Sequence, residues 1–143
     1  GDFDIIDGFC HTYFWDMPVD DNGFLILRTK TNKTAFLHVS CTEWKNMFSF
    51  EIYGKKGKIE LSGLGGSYGT ETVRLYKMLP EMGPPETEIW EFPMDDNSWS
   101  EELSDFFTNI RNNNDSSSDL KNTMRVLEII EKVYKGSGYD FSS

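Results

Sequence analysis

Up to Pro93 the apolar side chains of this chain recur at every second residue, and from Ser98 onward they recur every third or fourth. A period of two builds half-buried strands and a period near 3.6 builds amphipathic helices. Strands first and helices last describe an α+β domain: a large, mostly antiparallel open sheet with two C-terminal helices packed on one face.

The clearest strand pair opens at Asn46. Phe48, Phe50 and Ile52 fall on one face of it, with Met47, Ser49, Glu51 and Tyr53 on the other. Gly54-Lys55-Lys56-Gly57 supplies the turn, and Ile59 and Leu61 then alternate with Lys58, Glu60 and Ser62, the pattern of an antiparallel hairpin. Asp4 to Phe14 is apolar on both sides and reads as a strand covered on both faces. Such a run, opening without a cap or turn before it, is expected of a piece of a longer protein. Trp15-Asp16-Met17-Pro18 breaks it, and Asp20-Asp21-Asn22-Gly23 is the next turn. Phe24 to Thr31 and Thr34 to Cys41 follow as strands about a hairpin turn at Asn32. In the second of them Ala35, Leu37, Val39 and Cys41 oppose Phe36, His38 and Ser40. Thr72 to Leu79 and Glu88 to Pro93 are two more, the last with Trp90 and Phe92 on one side.

Ser98 and Glu101 have capping-box spacing, and Trp99, Leu103, Phe106, Phe107 and Ile110 trace one helical stripe. If that stripe is core, Trp99→Ala costs roughly 3 to 5 kcal/mol. Asp119 is placed to cap a second helix carrying Leu120, Met124, Leu127, Ile130 and Tyr134. Gly136 stands where it would end, before a tail expected to fray from Ser137. Two helices cannot cover both faces of a large sheet, so an aromatic row left open points to a homo-oligomer formed face to face.

At 143 residues the chain holds one core, and residues 1–143 read as a single domain. With 24 acidic against 14 basic side chains it repels phosphate backbones and anionic lipid, which makes nucleic acid and membrane surfaces poor partners. No apolar run approaches the roughly 20 residues of a membrane helix. Cys10 and Cys41 read as free thiols of a cytoplasmic protein.

Few residues suggest chemistry. His11 and His38 have no metal-ligand spacing, no serine sits in a nucleophile elbow, and neither cysteine has a His and acid beside it. Asp20-Asp21, Asp95-Asp96 and Glu101-Glu102 read as solvated turns and caps. The loop Gly63-Leu64-Gly65-Gly66-Ser67-Tyr68-Gly69 superficially suggests a dinucleotide fingerprint. A strand follows it rather than a helix, so no helix N-terminus is available for a pyrophosphate. Its alternatives are a flexible turn that lets Tyr68 reach a ligand and an ordinary sheet corner. Thr42-Glu43-Trp44-Lys45-Asn46 combines donors, acceptors and a flat ring. That set suits a sugar or another polyhydroxylated ligand, with tryptophan against the apolar face of the ring, and it also suits a polar hairpin loop closed over by Trp44.

Several of these segments resemble one family. The run Trp15 to Phe24, Leu37 to Asn46, Glu51-Ile52-Tyr53-Gly54 with Gly57-Lys58, the Gly63 to Gly69 loop and Asn97-Ser98-Trp99 resemble, in order, the C-terminal domain of the Gfo/Idh/MocA family. These are glucose-fructose oxidoreductases and inositol dehydrogenases, and the members resembled most act on sugars or nucleotide sugars in surface-polysaccharide pathways. The resemblance implies a dihydrodipicolinate-reductase-like fold and a two-domain, NAD(P)-dependent oxidoreductase acting on a sugar CH–OH group. In it an N-terminal Rossmann domain would bind NAD or NADP, and the present domain would shape the substrate pocket and the oligomer interface. The nucleotide fingerprint and the Glu-Lys-Pro motif of the catalytic lysine belong upstream of residue 1. Asp7 to His11 resembles the family's Asp-and-His segment, but its place directly before Trp15-Asp16-Met17-Pro18 matches the following strand better. No catalytic or cofactor-binding residue is therefore carried over. The substrate-facing positions implied are Thr42, Glu43, Trp44, Lys45, Asn46 and Tyr68, and the chain alone is expected not to turn over. The alternative is a free-standing carbohydrate-binding or assembly module without redox activity.

Overall fold

The computed structural model describes residues 2–65, 68–81, 83–114 and 117–139, with the backbone alone for 117–119. Its elements are β1 (Phe3–His11), β2 (Asn22–Thr29), β3 (Thr34–Ser40), β4 (Ser49–Tyr53), β5 (Gly57–Ser62), β6 (Glu71–Lys77), β7 (Glu86–Phe92), α1 (Ser98–Arg111) and α2 (Ser117–Gly136). The α+β class holds, and every paired strand is antiparallel. In place of one large sheet there are two, of order β1-β2-β3 and β4-β5-β6-β7. Alternation sets which face a side chain takes but not which strand lies beside it, and residues 41–48 leave β3 without pairing it to β4. The chain divides into two compact units, Gly1–Trp44 with Asn109–Ser143, and Lys45–Thr108.

In the first unit the four residues Lys30 to Lys33 join β2 to β3, and a Thr29–Lys33 bond closes a three-residue turn within them. Asn32 N donates to Thr29 O, Thr29 N donates to Lys33 O, and Asn32 takes φ 61°, the left-handed position such a loop requires. A bulge at Ile6 shifts the register of β1, so Ile5 pairs with Leu27 while Asp7 pairs with Ile26. Cys10 and Leu27 are buried on one face, where Val133 of α2 stands 3.4 Å from the place a Cβ on Gly8 would occupy. The other face carries Phe9, Phe24 and His38 in register, with ring centroids 5.1 and 4.4 Å apart. Phe9 and Ile6 remain exposed. Strand β1 is thus covered on one face rather than both, because a single helix packs against it.

Helix α2 ends at Gly136, where the sequence places its stop, and the bonds that cap it lie just beyond. Tyr139 N donates to Tyr134 O and Gly138 N to Lys135 O, with Gly138 at φ 86°, a Schellman cap two residues later. The Tyr134 and Tyr139 rings meet edge to face at 5.7 Å, the apolar contact that accompanies this cap. The tail does not fray through residue 139. Ser137 Oγ accepts from Cys10 N, and Tyr139 Oη bonds Thr12 Oγ1. The expected cap at Asp119 falls on a side chain outside the described residues, in a helix already under way at Ser117.

In the second unit the register separates two faces. Phe50, Leu61, Val73 and Trp90 form one cross-strand row, and Ile52, Ile59 and Leu75 the next, on an apolar face. The opposite face is a charged ladder. Lys58 pairs with Glu51 at 3.0 Å and Glu60 at 3.3 Å, Arg74 pairs with Glu60 at 2.8 Å, and Lys58 lies 5.4 Å from the centres of both the Tyr53 and Tyr76 rings. Partial burial would raise the Glu60 pKa, but its bonds from Lys58 and Arg74 outweigh that and hold it below the usual range.

Helix α1 begins at Ser98 itself, so its cap stands one residue earlier than expected. Asn97 O accepts the first helical bond from Glu101 N, and Asp96 Oδ1 accepts from Ser98 N. None of its side chains is buried, and Trp99 is 77% exposed. The stripe is therefore not core, and of the two helices expected to form one layer only α2 packs on a strand among the described residues. Amphipathic spacing shows that a helix has an apolar face without showing what covers it.

Candidate functional site

The boundary between the two units falls inside the stretch expected to face a substrate. Thr42, Glu43 and Trp44 close the first segment of one unit, and Lys45 and Asn46 open the other. Tyr68 belongs with Lys45 and Asn46, and these three line one cleft of about 390 Å³ with Ser62, Thr72, Arg74 and Glu91 among its other walls. That volume lies within the roughly 300 to 1,000 Å³ of small-molecule sites.

The register of the sheet builds the cleft. Ser49, Ser62, Thr72 and Glu91 form one row on the polar face. Ser62 Oγ bonds Thr72 Oγ1 at 2.6 Å, and Arg74 Nη1 donates to Ser62 Oγ at 3.2 Å and to Glu60. The loop after β5 brings in the aromatic wall. The Tyr68 ring lies over Gly65, where a Cβ would stand 2.7 Å from the ring, and Gly65 takes φ 105° with its N–H donated to Glu71 Oε1. Only glycine allows both. Gly66 and Ser67 of that loop lie outside the described residues. Hydroxyls, an amide, two cations, a carboxylate and a tyrosine ring on one concave face are groups that bind a polyhydroxylated ring.

Of the expected residues in the first unit, Trp44 stands apart, while Thr42 and Glu43 join a polar network at the end of the three-stranded sheet. Its centre is Asp21, which the sequence suggested was a solvated turn residue and which is 3% exposed. Its carboxylate accepts the N–H groups of Tyr13, Phe14 and Trp15 at 2.8, 2.7 and 3.0 Å, and the amide of Asn22 at 3.1 Å. Burial by itself would raise its pKa, and these four donors overcome that and hold it well below the usual carboxylate range. Asn22 Nδ2 also donates to Thr42 Oγ1, so Asn22 Oδ1 faces His38 and Nε2 of that ring carries the proton at 3.0 Å. His38 stacks on Phe24, the structural setting expected of it, and its Nδ1 lies 3.7 Å from Glu43 Oε1.

Thr42 is consumed by this network, bonding Ser40 as well. Trp44 is 84% exposed, edge to face with Phe14 at 5.2 Å, with its backbone at φ 57°. A bulky residue rarely takes that conformation, and such strain collects at functional loops. Sequence reasoning missed Ser62, Thr72, Arg74 and Glu91. Their alternation along the hairpin strands was visible, but the row they make needs the register.

A second hollow of about 610 Å³ lies along α2, lined by Val19, Met124, Leu127, Ile130 and Tyr134 with Glu128 and Glu131. It offers no converging donors. Among the described residues no group of three His, Cys, Asp or Glu side chains is placed to hold a metal ion, and no helix is long and apolar enough to cross a membrane. Among the described residues the NAD or NADP implied by the resemblance finds no fitting cradle. The glycine loop leads into β6, so it ends on a strand and presents no helix N-terminus to a pyrophosphate. Comparison of the chain with protein-family models, with curated proteins and with solved structures gave no match.

Proposed function

We propose that this chain binds a sugar in the cleft of its four-stranded unit, and that it is the substrate-shaping part of a cytoplasmic NAD(P)-dependent sugar or nucleotide-sugar oxidoreductase of the Gfo/Idh/MocA type. The observation that carries the binding half is the convergence of Lys45, Asn46 and Tyr68 with the Ser62, Thr72 and Glu91 row on one cleft. The redox half rests on the resemblance of the segments from Trp15 to Trp99, and with it goes the dihydrodipicolinate-reductase-like fold, while the single-domain reading rests on chain length and the homo-oligomer on an uncovered sheet face. The exposed apolar row of Phe50, Trp90 and Phe92 favours assembly through the sheet face opposite the cleft. On this reading the nicotinamide and the acid/base groups come from a Rossmann domain, and this chain orients the ring and supplies no catalytic residue.

The second reading, a carbohydrate-binding module without redox activity, needs only the cleft. A panel of sugars, polyols and nucleotide sugars added to the full-length protein with NAD and NADP separates the two. Formation of reduced nicotinamide, followed by absorbance, is expected on the first reading. Saturable sugar binding with no turnover, from a reading frame that encodes no mononucleotide-binding fold, would replace it with the second.

A further inference from the structure

The cleft is lined by two cations, Lys45 and Arg74, and one carboxylate, Glu91, in a chain of formal charge −10; Arg74 is already paired with Glu60 at 2.8 Å, which leaves Lys45 as the uncompensated cation. Lys45 makes no ion pair or hydrogen bond among the described residues. Arg74 uses Nη1 for Glu60 and Ser62, and its Nε and Nη2 donors have no partner among the described residues. Both bonds draw the guanidinium from β6 toward β5, whereas the cleft's carboxylate, Glu91, stands on β7 at the other side of β6. Neighbouring strands lie about 4.8 Å apart, so Glu91 is rooted about 10 Å across the sheet from Ser62. The cleft is thus bipolar, with cationic donors at the β4–β5 side and an acceptor at the β7 side.

From this we infer that the ligand is an acidic sugar, a pyranose carrying one anionic group that is either a ring carboxylate or a phosphate ester. The inference rests on the reading of the cleft as a sugar site and narrows it. The anion sits against Lys45 and the free guanidinium donors of Arg74, whose planar fork matches carboxylate and phosphate oxygens. The ring lies against Tyr68, and hydroxyls at its far side donate to Glu91 and exchange bonds with Thr72. A neutral sugar leaves Lys45 without its counter-ion, and a cationic amino sugar would meet Lys45 as a like charge. No covalent step is involved.

Calorimetric or NMR titration of the chain with glucose, glucuronate, glucose 6-phosphate and inorganic phosphate tests this. One charge-assisted contact is expected to favour at least one of the two acids over glucose by about tenfold. That preference should shrink in roughly 0.5 M NaCl, where the Debye length is only a few Å. Lys45→Met should bring the favoured acid down to the affinity of glucose, and Lys45→Arg should restore it. Which acid is favoured identifies the anion as carboxylate or phosphate. Equal binding of glucose and both acids, or a preference untouched by Lys45→Met, overturns the inference and leaves the sugar site standing. Inorganic phosphate binding as tightly as either acid also overturns it, since no ring is then needed. No binding by any sugar removes the sugar reading itself. Lys45 is exposed and makes no contact whose loss would unfold the unit, so the variant reports on binding.

Discussion

In the three-stranded unit the sheet carries α2 on one face, and its far end is tied by buried bonds to Asp21. In the four-stranded unit the polar face is held by the ladder from Glu51 to Arg74, the apolar face shows Phe50, Trp90 and Phe92 to solvent, and α1 buries nothing. The contrast separates two uses of the same strand pattern. One unit spends its polar groups on itself, as Thr42, Asn22 and His38 do, and the other leaves Lys45, Arg74 and Glu91 with bonding capacity over a cleft. Groups already satisfied hold a fold, and groups with capacity left over bind.

Four substitutions would break or sharpen this contrast. The largest effect is expected at Leu27, 8% exposed on the helix-covered face. Leu27→Ala should destabilise the first unit by about 2 to 5 kcal/mol in denaturant unfolding. A change of a few tenths would mean that α2 does not close that face. Asp21→Asn follows, because it removes the ionised acceptor of three backbone donors. The Asp21 pKa is lower in the folded chain than in the unfolded one, so its contribution is present above the unfolded value of about 4 and fades as pH falls below it toward the folded value. The wild type should therefore lose stability on acidification through that window, and the variant should show less of this loss in pH-dependent melting.

Tyr134→Phe should cost about 1 kcal/mol, the worth of one hydrogen bond, here from its hydroxyl to the Asp20 carboxylate. That bond, with partial burial, raises the Tyr134 pKa to about 12. Its contribution is thus full below the unfolded value of about 10 and is lost as pH rises toward about 12. Alkaline melting curves of the two proteins should converge there. The smallest effect is expected at Trp99, where exposure limits Trp99→Ala to about 0.5 kcal/mol. A loss of roughly 3 to 5 kcal/mol would instead show the α1 stripe covered in solution.

The legible parts of the fold were those set by short-range pattern. Both hairpins, about Asn32 and about Gly54–Gly57, and both helices follow from alternation, turn chemistry and period. The number of sheets was not legible, since nothing in residues 41–48 states whether β3 and β4 pair. The cap of α2 moved from Gly136 to Gly138 because a helical pattern ends softly while the 139-to-134 bond does not. Asp21 looked like any turn acid, and its burial depends on the bend at Trp15-Asp16-Met17-Pro18, which returns it to the N–H groups of Tyr13, Phe14 and Trp15. Of the site, Lys45, Asn46 and Tyr68 were readable as polar and aromatic flanks of a hairpin. Arg74 and Glu91 were not, because they reach the cleft through pairing across β5, β6 and β7.

The central claim is that the four-stranded unit holds a sugar cleft, and amide chemical-shift mapping of the chain during titration with a monosaccharide panel, acids included, tests it most directly. Saturable shifts concentrated at Lys45, Asn46, Ser62, Tyr68 and Thr72 are the expected result. Shifts confined to the network around Asp21 and Trp44, or none with any sugar, would contradict it.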